Sequence, residues 1–195
     1  DGHDFVPAVP HFRLDPTLGV RFVFPHAPSR PVTMNGGMVM PAWFDVYSIG
    51  PNIPKDIEGI RTASRWVEAL RQREVDRGIP PERIVLAGFS QGGALALYWG
   101  LRTPHPLAGL LGLSTYLVGG ESLEAERSEE SRGLPILLAH GLRDPLVAIT
   151  RGETLRHRLE DVGHDVDWHT YPIQHEVCVE ELRVVGAWIA ERLTE

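Results

Sequence analysis

The chain has 195 residues, of which 43% are hydrophobic and 23% charged, and its formal net charge is −7. A chain of this length and hydrophobic content is sufficient for one domain with a substantial core. The acidic balance and the absence of any lysine or arginine block exclude a nucleic-acid or anionic-membrane surface, because both need clustered cations. The single cysteine excludes an internal disulfide. With no visible signal peptide and no apolar run long enough to span a bilayer, we expect a cytoplasmic protein.

The first predicted strand is residues 20–24 (VRFVF), which Pro25 stops. A connection rich in proline and glycine then covers 26–55, and a connection of this length in a compact domain is usually functional or ordered by its own packing. Apolar residues at helical spacing predict a helix over 55–77. Residues 83–89 (RIVLAGF) are typical of a buried strand, and the segment after them predicts a second helix.

The second half of the chain continues this alternation. The second helix runs to about Arg102. The remaining predicted elements, in chain order, are strands at 107–113 and 134–139, a helix around 155–162, a strand at 165–171 and a last helix around 178–189. Between the two apolar strands, the charged residues 121–133 predict a solvated excursion. Apolar strands that alternate with helices predict a mostly parallel α/β sheet with helices on both faces, in a single domain over 1–195.

Residues 88–92 (GFSQG) form a G-x-S-x-G motif between a predicted strand and a predicted helix. A serine on such a tight turn is held in a strained backbone conformation, and the flanking glycines remove Cβ atoms that would collide as the helix packs back on the strand. The hydroxyl is thereby exposed beside the positive N-terminus of the helix. A glycine-rich turn with an incidental serine is the alternative, but this context favours Ser90 as a nucleophile.

A serine nucleophile needs a histidine base and an acid that orients it, and in this fold type the acid precedes the histidine. Asp144 lies in a turn at the carboxyl end of the strand 134–139, where open α/β sheets place their sites. An Asp-Pro turn without a catalytic role is the alternative. Of the later histidines, His175 alone lies in the loop after the last strand, whereas His140 ends its strand and is expected to be structural.

Other possible metal-binding, phosphate-binding or catalytic motifs have little support in the sequence. His175 and Glu176 begin like an H-E-x-x-H motif, but Val179 occupies the second ligand position, and no phosphate-binding glycine loop is present. We therefore expect no metal and no cofactor. Cys178 falls on the apolar stripe of the last helix, which favours core packing over a cysteine–histidine pair. Trp43 is either a core aromatic or the wall of an acyl groove, and both interpretations stay open.

Five segments together resemble the phospholipase/carboxylesterase family of small α/β hydrolases, which includes the acyl-protein thioesterases. They are 24–45 (FPHAPSRPVTMNGGMVMPAWFD), 83–97 (RIVLAGFSQGGALAL), 107–117 (LAGLLGLSTYL), 140–147 (HGLRDPLV) and 171–177 (YPIQHEV). The resemblance covers essentially the whole chain and implies the α/β-hydrolase fold. It also implies Ser90 as nucleophile, Asp144 as orienting acid, His175 as base and the main-chain N–H of Gln91 as one oxyanion donor.

The same resemblance implies that Trp43, Tyr116 and Leu146 lie near the acyl-binding groove. It fails at the start of the chain, because members of the family begin with a strand that runs into an H-G-x-G loop, the source of the second oxyanion donor. Residues 1–10 (DGHDFVPAVP) resemble the chain that follows such a loop. We therefore expect a domain that lacks its first strand or strands, roughly 20–30 residues, and half of its oxyanion hole.

The expected function is hydrolysis of small or acyl-chain carboxylic esters through an acyl-enzyme, with thioesters and lysophospholipids among the candidate substrates. Two alternatives stay open: a non-catalytic binding protein that retains the fold, and a peptidase or lactonase that uses the same three residues. The expected partner is a small-molecule ester, with no nucleic acid and no integral membrane segment. A homodimer is compatible with the sequence.

Overall fold

The computed structural model of the protein describes residues 1–48 and 55–194 and contains a hairpin and a four-stranded sheet. The elements in chain order are β1 (Ser29–Val32), β2 (Met38–Pro41), α1 (Ile57–Asp76), β3 (Val85–Phe89), α2 (Gln91–Gly100), β4 (Gly109–Leu113), α3 (Leu123–Glu126), β5 (Ile136–Gly141), α4 (Ile149–Asp161), β6 (Val166–Tyr171) and α5 (Val179–Thr194). β1 and β2 pair antiparallel, whereas β3, β4, β5 and β6 form a parallel sheet in that order. Each parallel connection contains a helix, as parallel pairing requires a long crossover.

Helices cover both faces of the parallel sheet, as predicted. Successive side chains of a strand point to opposite faces. Along β5, Ile136 and Leu138 pack in a cluster with Leu155 of α4, whereas Leu137 packs in a second cluster with Val185 of α5. Every residue of β5 is buried. Neither face of β5 contacts water, which explains why its sequence is a continuous apolar run.

β3 differs from this pattern, and its prediction as a buried strand is wrong. Its residues are half-buried or exposed, because the strand pairs only with β4 and forms one edge of the sheet. Beyond that edge lies a cavity of about 590 Å³, which we call the trench, lined by β3 on one side and residues 18–25 on another. The predicted strand at 20–24 is also wrong, since these residues belong to no sheet. The trench lies between residues 20–24 and β3, so the two segments do not form the main-chain hydrogen bonds of a strand pair.

The remaining elements follow the predictions closely. The predicted helices are confirmed as α1, α2, α4 and α5, and the other three predicted strands as β4, β5 and β6. The connection 26–55 contains the unpredicted hairpin β1–β2, and its residues 49–54 lie outside the described part of the chain. The excursion 121–133 is anchored by the fully buried Leu123 of α3 rather than wholly solvated. Each helix in the described ranges is too short or too polar to cross a bilayer.

Candidate active site

Ser90 lies on the sharp turn between β3 and α2 that the G-x-S-x-G motif predicts. Its backbone angles are φ 52° and ψ −119°, a region that residues with a side chain rarely occupy. A Cβ atom on Gly88 would lie 2.2 Å from the carbonyl carbon of Gly92, so a side chain at Gly88 would force the helix away from the strand. The absence of a side chain at Gly88 thus allows the close approach that holds Ser90 at the end of β3, whereas a Cβ atom on Gly92 would meet only Nε1 of Trp43, at 3.9 Å.

Hydrogen bonds from the next strand hold this strained turn in place. The N–H of Ser90 donates to the carbonyl of Leu113 at 2.8 Å, and the Thr115 hydroxyl donates to the Ser90 carbonyl at 2.7 Å. Gln91 begins α2, where the first N–H groups have no acceptor within the helix. Its main-chain N–H can therefore serve an oxyanion that forms beside Ser90.

Asp144 and His175 meet at the carboxyl end of the sheet although they come from different loops. Oδ2 of Asp144 lies 2.6 Å from Nδ1 of His175, and the carboxylate is fully buried. Oδ1 accepts hydrogen bonds from the N–H groups of Leu146 and Val147, at 2.9 and 2.8 Å. Both carboxylate oxygens are therefore occupied. This arrangement fixes the imidazole so that Nδ1 carries the proton and Nε2 is left as the base.

His140 is the other histidine near Asp144, and it has a structural role. Its Nε2 lies 2.8 Å from the carbonyl oxygen of Val147 but 3.8 Å from Asp144. It is 1% exposed, and burial lowers its pKa, which keeps it neutral. α4 packs against its ring, since a Cβ atom on Gly152 would lie 2.5 Å from Nδ1. The neutral ring therefore supports the loop that carries Asp144.

Two cavities meet at Ser90. The smaller, of about 140 Å³, is lined by Ser90, His175, Tyr116 and Leu146 among others, and we call it the serine pocket. The larger is the trench, which Ser90 also lines and which contains Trp43. Two of the three residues that the family resemblance placed near an acyl groove thus lie beside both Ser90 and His175. The third lies in the neighbouring cavity.

The first residues of the chain also lie beside the nucleophile. Asp1 and Gly2 line the trench together with Ser90, and the ring of Phe5 lies 5.5 Å from that of Phe89. The ring of Phe89 in turn lies 4.7 Å from that of His175. The segment that resembles the chain after an H-G-x-G loop is therefore next to the candidate oxyanion site.

Sequence reasoning missed the part that the side chain of Gln91 plays. Its Oε1 accepts from the N–H of Trp43 at 2.9 Å, and its Nε2 donates to the carbonyl of Phe44 at 2.8 Å. This amide therefore ties the connection after β2 to the nucleophile turn. The one available signal was a long polar side chain in a helix start that is otherwise glycine, alanine and leucine.

Sequence reasoning also missed two cations, Lys55 and Arg151, which line the serine pocket. Arg151 lies in the first turn of α4, where the helix dipole disfavours a positive charge. A basic residue at a predicted helix start was an available signal for Lys55, the first residue of the predicted helix 55–77, whereas Arg151 precedes the helix predicted around 155–162.

Glu181, in the first turn of α5, is a buried carboxyl group that no cation neutralises in the described residues. It is 1% exposed, and its Oε2 accepts from the N–H of Cys178 at 3.3 Å, whereas its Oε1 has no hydrogen-bond partner there. Burial raises its pKa to about 7. The folded protein therefore holds a proton on Glu181 in a pH range where an unfolded chain would release it.

This burial makes stability depend on pH. The folded-state pKa of Glu181 lies above its ordinary value of 4.5, so stability falls as pH rises from about 4.5 to about 7 and stays lower above that. Glu181→Gln should remove this penalty, raising the free energy of unfolding at pH 8 by on the order of 3 kcal/mol with little change at pH 4.5. Urea denaturation at both pH values tests this. Glu180→Gln, at an exposed neighbour, is the control, and an equal effect there would contradict the assignment.

Among the described residues, no three histidine, cysteine, aspartate or glutamate side chains converge as a metal site would require. Asp144 and His175 instead share a hydrogen bond, and Ser90, on a strained turn, lines the same cavity as His175. An acyl-transfer enzyme needs a nucleophile, a base and an orienting acid, and these three residues are the candidates for those roles.

Comparisons with known proteins agree with this chemistry. The family model described as Phospholipase/Carboxylesterase matches residues 13–193. Acyl-protein thioesterase 1 of Gibberella zeae is 39% identical over 201 residues, covering 98% of this chain and 86% of that protein. A probable carboxylesterase of Oryza sativa subsp. japonica is 38% identical over 189 residues, covering 95% of this chain and 69% of that protein.

Solved structures show the same fold. The crystal structure of Arabidopsis thaliana SOBER1 matches with a TM-score of 0.92 at 31% identity, covering 98% of this chain and 93% of that one. The crystal structure of esterase PE8 matches with a TM-score of 0.80 at 30% identity, covering 98% and 86%. The four-stranded parallel sheet with helices on both faces is therefore an α/β-hydrolase fold. The chain belongs to the phospholipase/carboxylesterase family and is a serine hydrolase of the carboxylesterase type.

Proposed function

We propose that this protein hydrolyses carboxylic esters through an acyl-enzyme on Ser90, with His175 as the base and Asp144 as the orienting acid. The observation that carries the proposal is the 2.6 Å hydrogen bond between Asp144 and His175, the histidine that lines the serine pocket together with Ser90. Neutral Nε2 of His175 takes the proton of the Ser90 hydroxyl as the oxygen attacks the ester carbonyl. The N–H of Gln91 stabilises the oxyanion of the tetrahedral intermediate.

The same residues complete the cycle. His175 gives its proton to the leaving alcohol or thiol as the bond from the carbonyl carbon breaks. A water molecule then loses a proton to Nε2 and attacks the acyl-enzyme, and collapse of the second intermediate releases the acid and restores Ser90. Asp144 stabilises the imidazolium, and the two main-chain N–H groups that donate to its Oδ1 hold the carboxylate in position. The mechanism uses no metal and no cofactor.

The proposed substrates are small or acyl-chain esters, including thioesters and lysophospholipids. Relatives named acyl-protein thioesterase 1 support the thioester part. The single cysteine supports a cytoplasmic location. A homodimer stays a prediction, which sedimentation equilibrium tests.

Labelling by a fluorophosphonate tests the nucleophile directly. We expect one equivalent to bind, and peptide mass spectrometry should place it on Ser90. A p-nitrophenyl ester series of increasing chain length then measures the acyl preference. A protein that neither reacts with the label nor hydrolyses any ester of the series would be the non-catalytic binding protein instead.

Trp43 should affect acyl selectivity more than stability. Trp43 is half-buried in the trench beside Ser90, whereas its neighbour Phe44 is 2% exposed and packs in the core. We expect Trp43→Ala to shift the ratio of kcat/KM between short and long esters by about tenfold, as a lost groove wall would. Phe44→Ala, the matched control, should instead cost about 3–5 kcal/mol of stability.

Kinetics on the ester series and thermal denaturation of both variants provide the measurements. A large fall in Tm for Trp43→Ala with unchanged selectivity would show that Trp43 is a core aromatic, which is the alternative left open by the sequence.

A further inference from the structure

The serine pocket contains two positive charges that the ester-hydrolysis mechanism does not use. The guanidinium carbon of Arg151 lies 4.2 Å from the ring centroid of Tyr116, and Nζ of Lys55 lies 5.9 Å from the same centroid. Ser90 and His175 line the same pocket. Both cations are therefore within reach of a substrate bound at the nucleophile.

Arg151 is held against an aromatic ring rather than against a carboxylate. In the described part of the chain, no carboxylate lies within salt-bridge distance of it, and its guanidinium instead contacts the neutral ring of Tyr116. Burial lowers the pKa of Arg151, which means that its charge is held at a cost. The dipole of α4 adds to this cost, because Arg151 lies in the first turn.

Lys55 increases the positive charge in the same place. Burial lowers the pKa of Lys55, the charge of Arg151 lowers it further, and Glu121 opposes the two. The carboxylate that lines the pocket, Asp45, accepts hydrogen bonds from the N–H and hydroxyl of Thr33 at 2.8 and 2.5 Å. The positive charge of this pocket contrasts with the net charge of −7 of the whole chain. An anion bound between Lys55 and Arg151 would remove the repulsion between them.

We propose that the serine pocket selects esters that carry an anionic group, and that Arg151 and Lys55 are the residues that determine this specificity. The inference rests on the ester hydrolysis proposed above and names its substrate class. A guanidinium can bind a carboxylate or phosphate through two parallel hydrogen bonds, and an ammonium adds a point charge. Hydrogen bonds between charged groups of this kind correspond to about a 10- to 100-fold preference in kcat/KM.

Two matched pairs of esters test the preference, one for each side of the scissile bond. In the first pair, mono-p-nitrophenyl glutarate, which has a carboxylate on its acyl chain, is compared with p-nitrophenyl pentanoate, which has none. In the second pair, para-acetoxybenzoic acid is compared with its methyl ester, which places the carboxylate on the leaving group. Substituting para-acetoxyphenyl phosphate in the second pair distinguishes phosphate from carboxylate. Each rate is divided by the rate of alkaline hydrolysis to correct for intrinsic reactivity.

The anionic ester should be preferred about tenfold or more in at least one pair. Arg151→Met and Lys55→Met should each reduce that preference by about tenfold, with a smaller effect on the neutral ester. Arg158→Met, which removes the same charge from the last turn of the same helix, should change nothing. Preference for the neutral ester in both pairs, or an anionic preference that survives loss of both cations, would overturn the proposal.

Two further measurements distinguish a substrate-binding role of Arg151 from a role in stability. Tm should not fall in Arg151→Met, whereas a residue present for stability would lower Tm when removed. Titration calorimetry with monomethyl glutarate on Ser90→Ala, with and without Arg151→Met, measures anion binding without turnover, and the second variant should bind about tenfold more weakly. Hydrolysis of all esters without charge preference contradicts only the anion selectivity. An inactive wild-type protein that still binds the anion contradicts only the proposed function.

Discussion

Ser90→Ala should lower kcat by about 10⁴-fold or more while leaving the fold intact, because the change removes only the nucleophilic oxygen. The turn itself depends on Gly88 and on the hydrogen bond from the Ser90 N–H, neither of which involves the hydroxyl. Stopped assays with a p-nitrophenyl ester at high enzyme concentration measure the residual rate, and circular dichroism checks the fold.

Ser114→Ala is the matched control for this variant. Ser114 has a positive φ of 44°, as Ser90 does, and it is buried, with no hydrogen-bond partner for its hydroxyl in the described residues. Its removal should leave kcat within a few-fold of the wild-type value. If Ser90→Ala kept a tenth of the activity, Ser90 would not be the nucleophile.

Asp144→Asn should lower kcat by about 10³- to 10⁴-fold. The N–H groups of Leu146 and Val147 require an acceptor at Oδ1, so the asparagine oxygen will stay there and its NH₂ group will face His175. Nδ1 of His175 must then accept a hydrogen bond, which moves the imidazole proton to Nε2. The nitrogen that should take the serine proton is thereby blocked.

Replacement of the base itself provides the comparison. His175→Ala should be at least as damaging as Asp144→Asn, and combining it with Ser90→Ala should add little, because residues that act as a unit are not additive. His140→Ala should reduce stability more than kcat, since His140 supports the loop through Val147. A larger loss of kcat in His140→Ala than in His175→Ala would mean that the base had been misassigned.

The sequence could predict the features that depend on local sterics and periodicity. A serine between Gly88 and Gly92 after an apolar run predicts a strained turn because few backbone conformations let a helix pack so close to a strand. The apolar runs of β4 and β5 predict strands buried on both faces for the same local reason. Asp144 and His175 followed from their positions after strands, because parallel strands bring all their carboxyl ends to one edge.

Features that depend on which segments meet in space could not be read from the residues. β3 and residues 20–24 both have strand-like sequences, yet the trench lies between them, and a strand's burial depends on its neighbours rather than on its own composition. The hairpin β1–β2 within a proline-rich connection depends likewise on a pairing that composition does not specify.

The alternation of strands and helices, the strained turn at Ser90 and the position of Asp144 and His175 at one edge of the sheet were therefore determined by the sequence itself. Each rests on contacts between residues close in the chain or on the shared direction of parallel strands. Only the tertiary structure decided that Lys55 and Arg151 share one ring of Tyr116 beside Ser90. Separate connections carry these two cations. Their electrostatic effect on a substrate comes from distance in space, which long-range packing sets and local pattern does not.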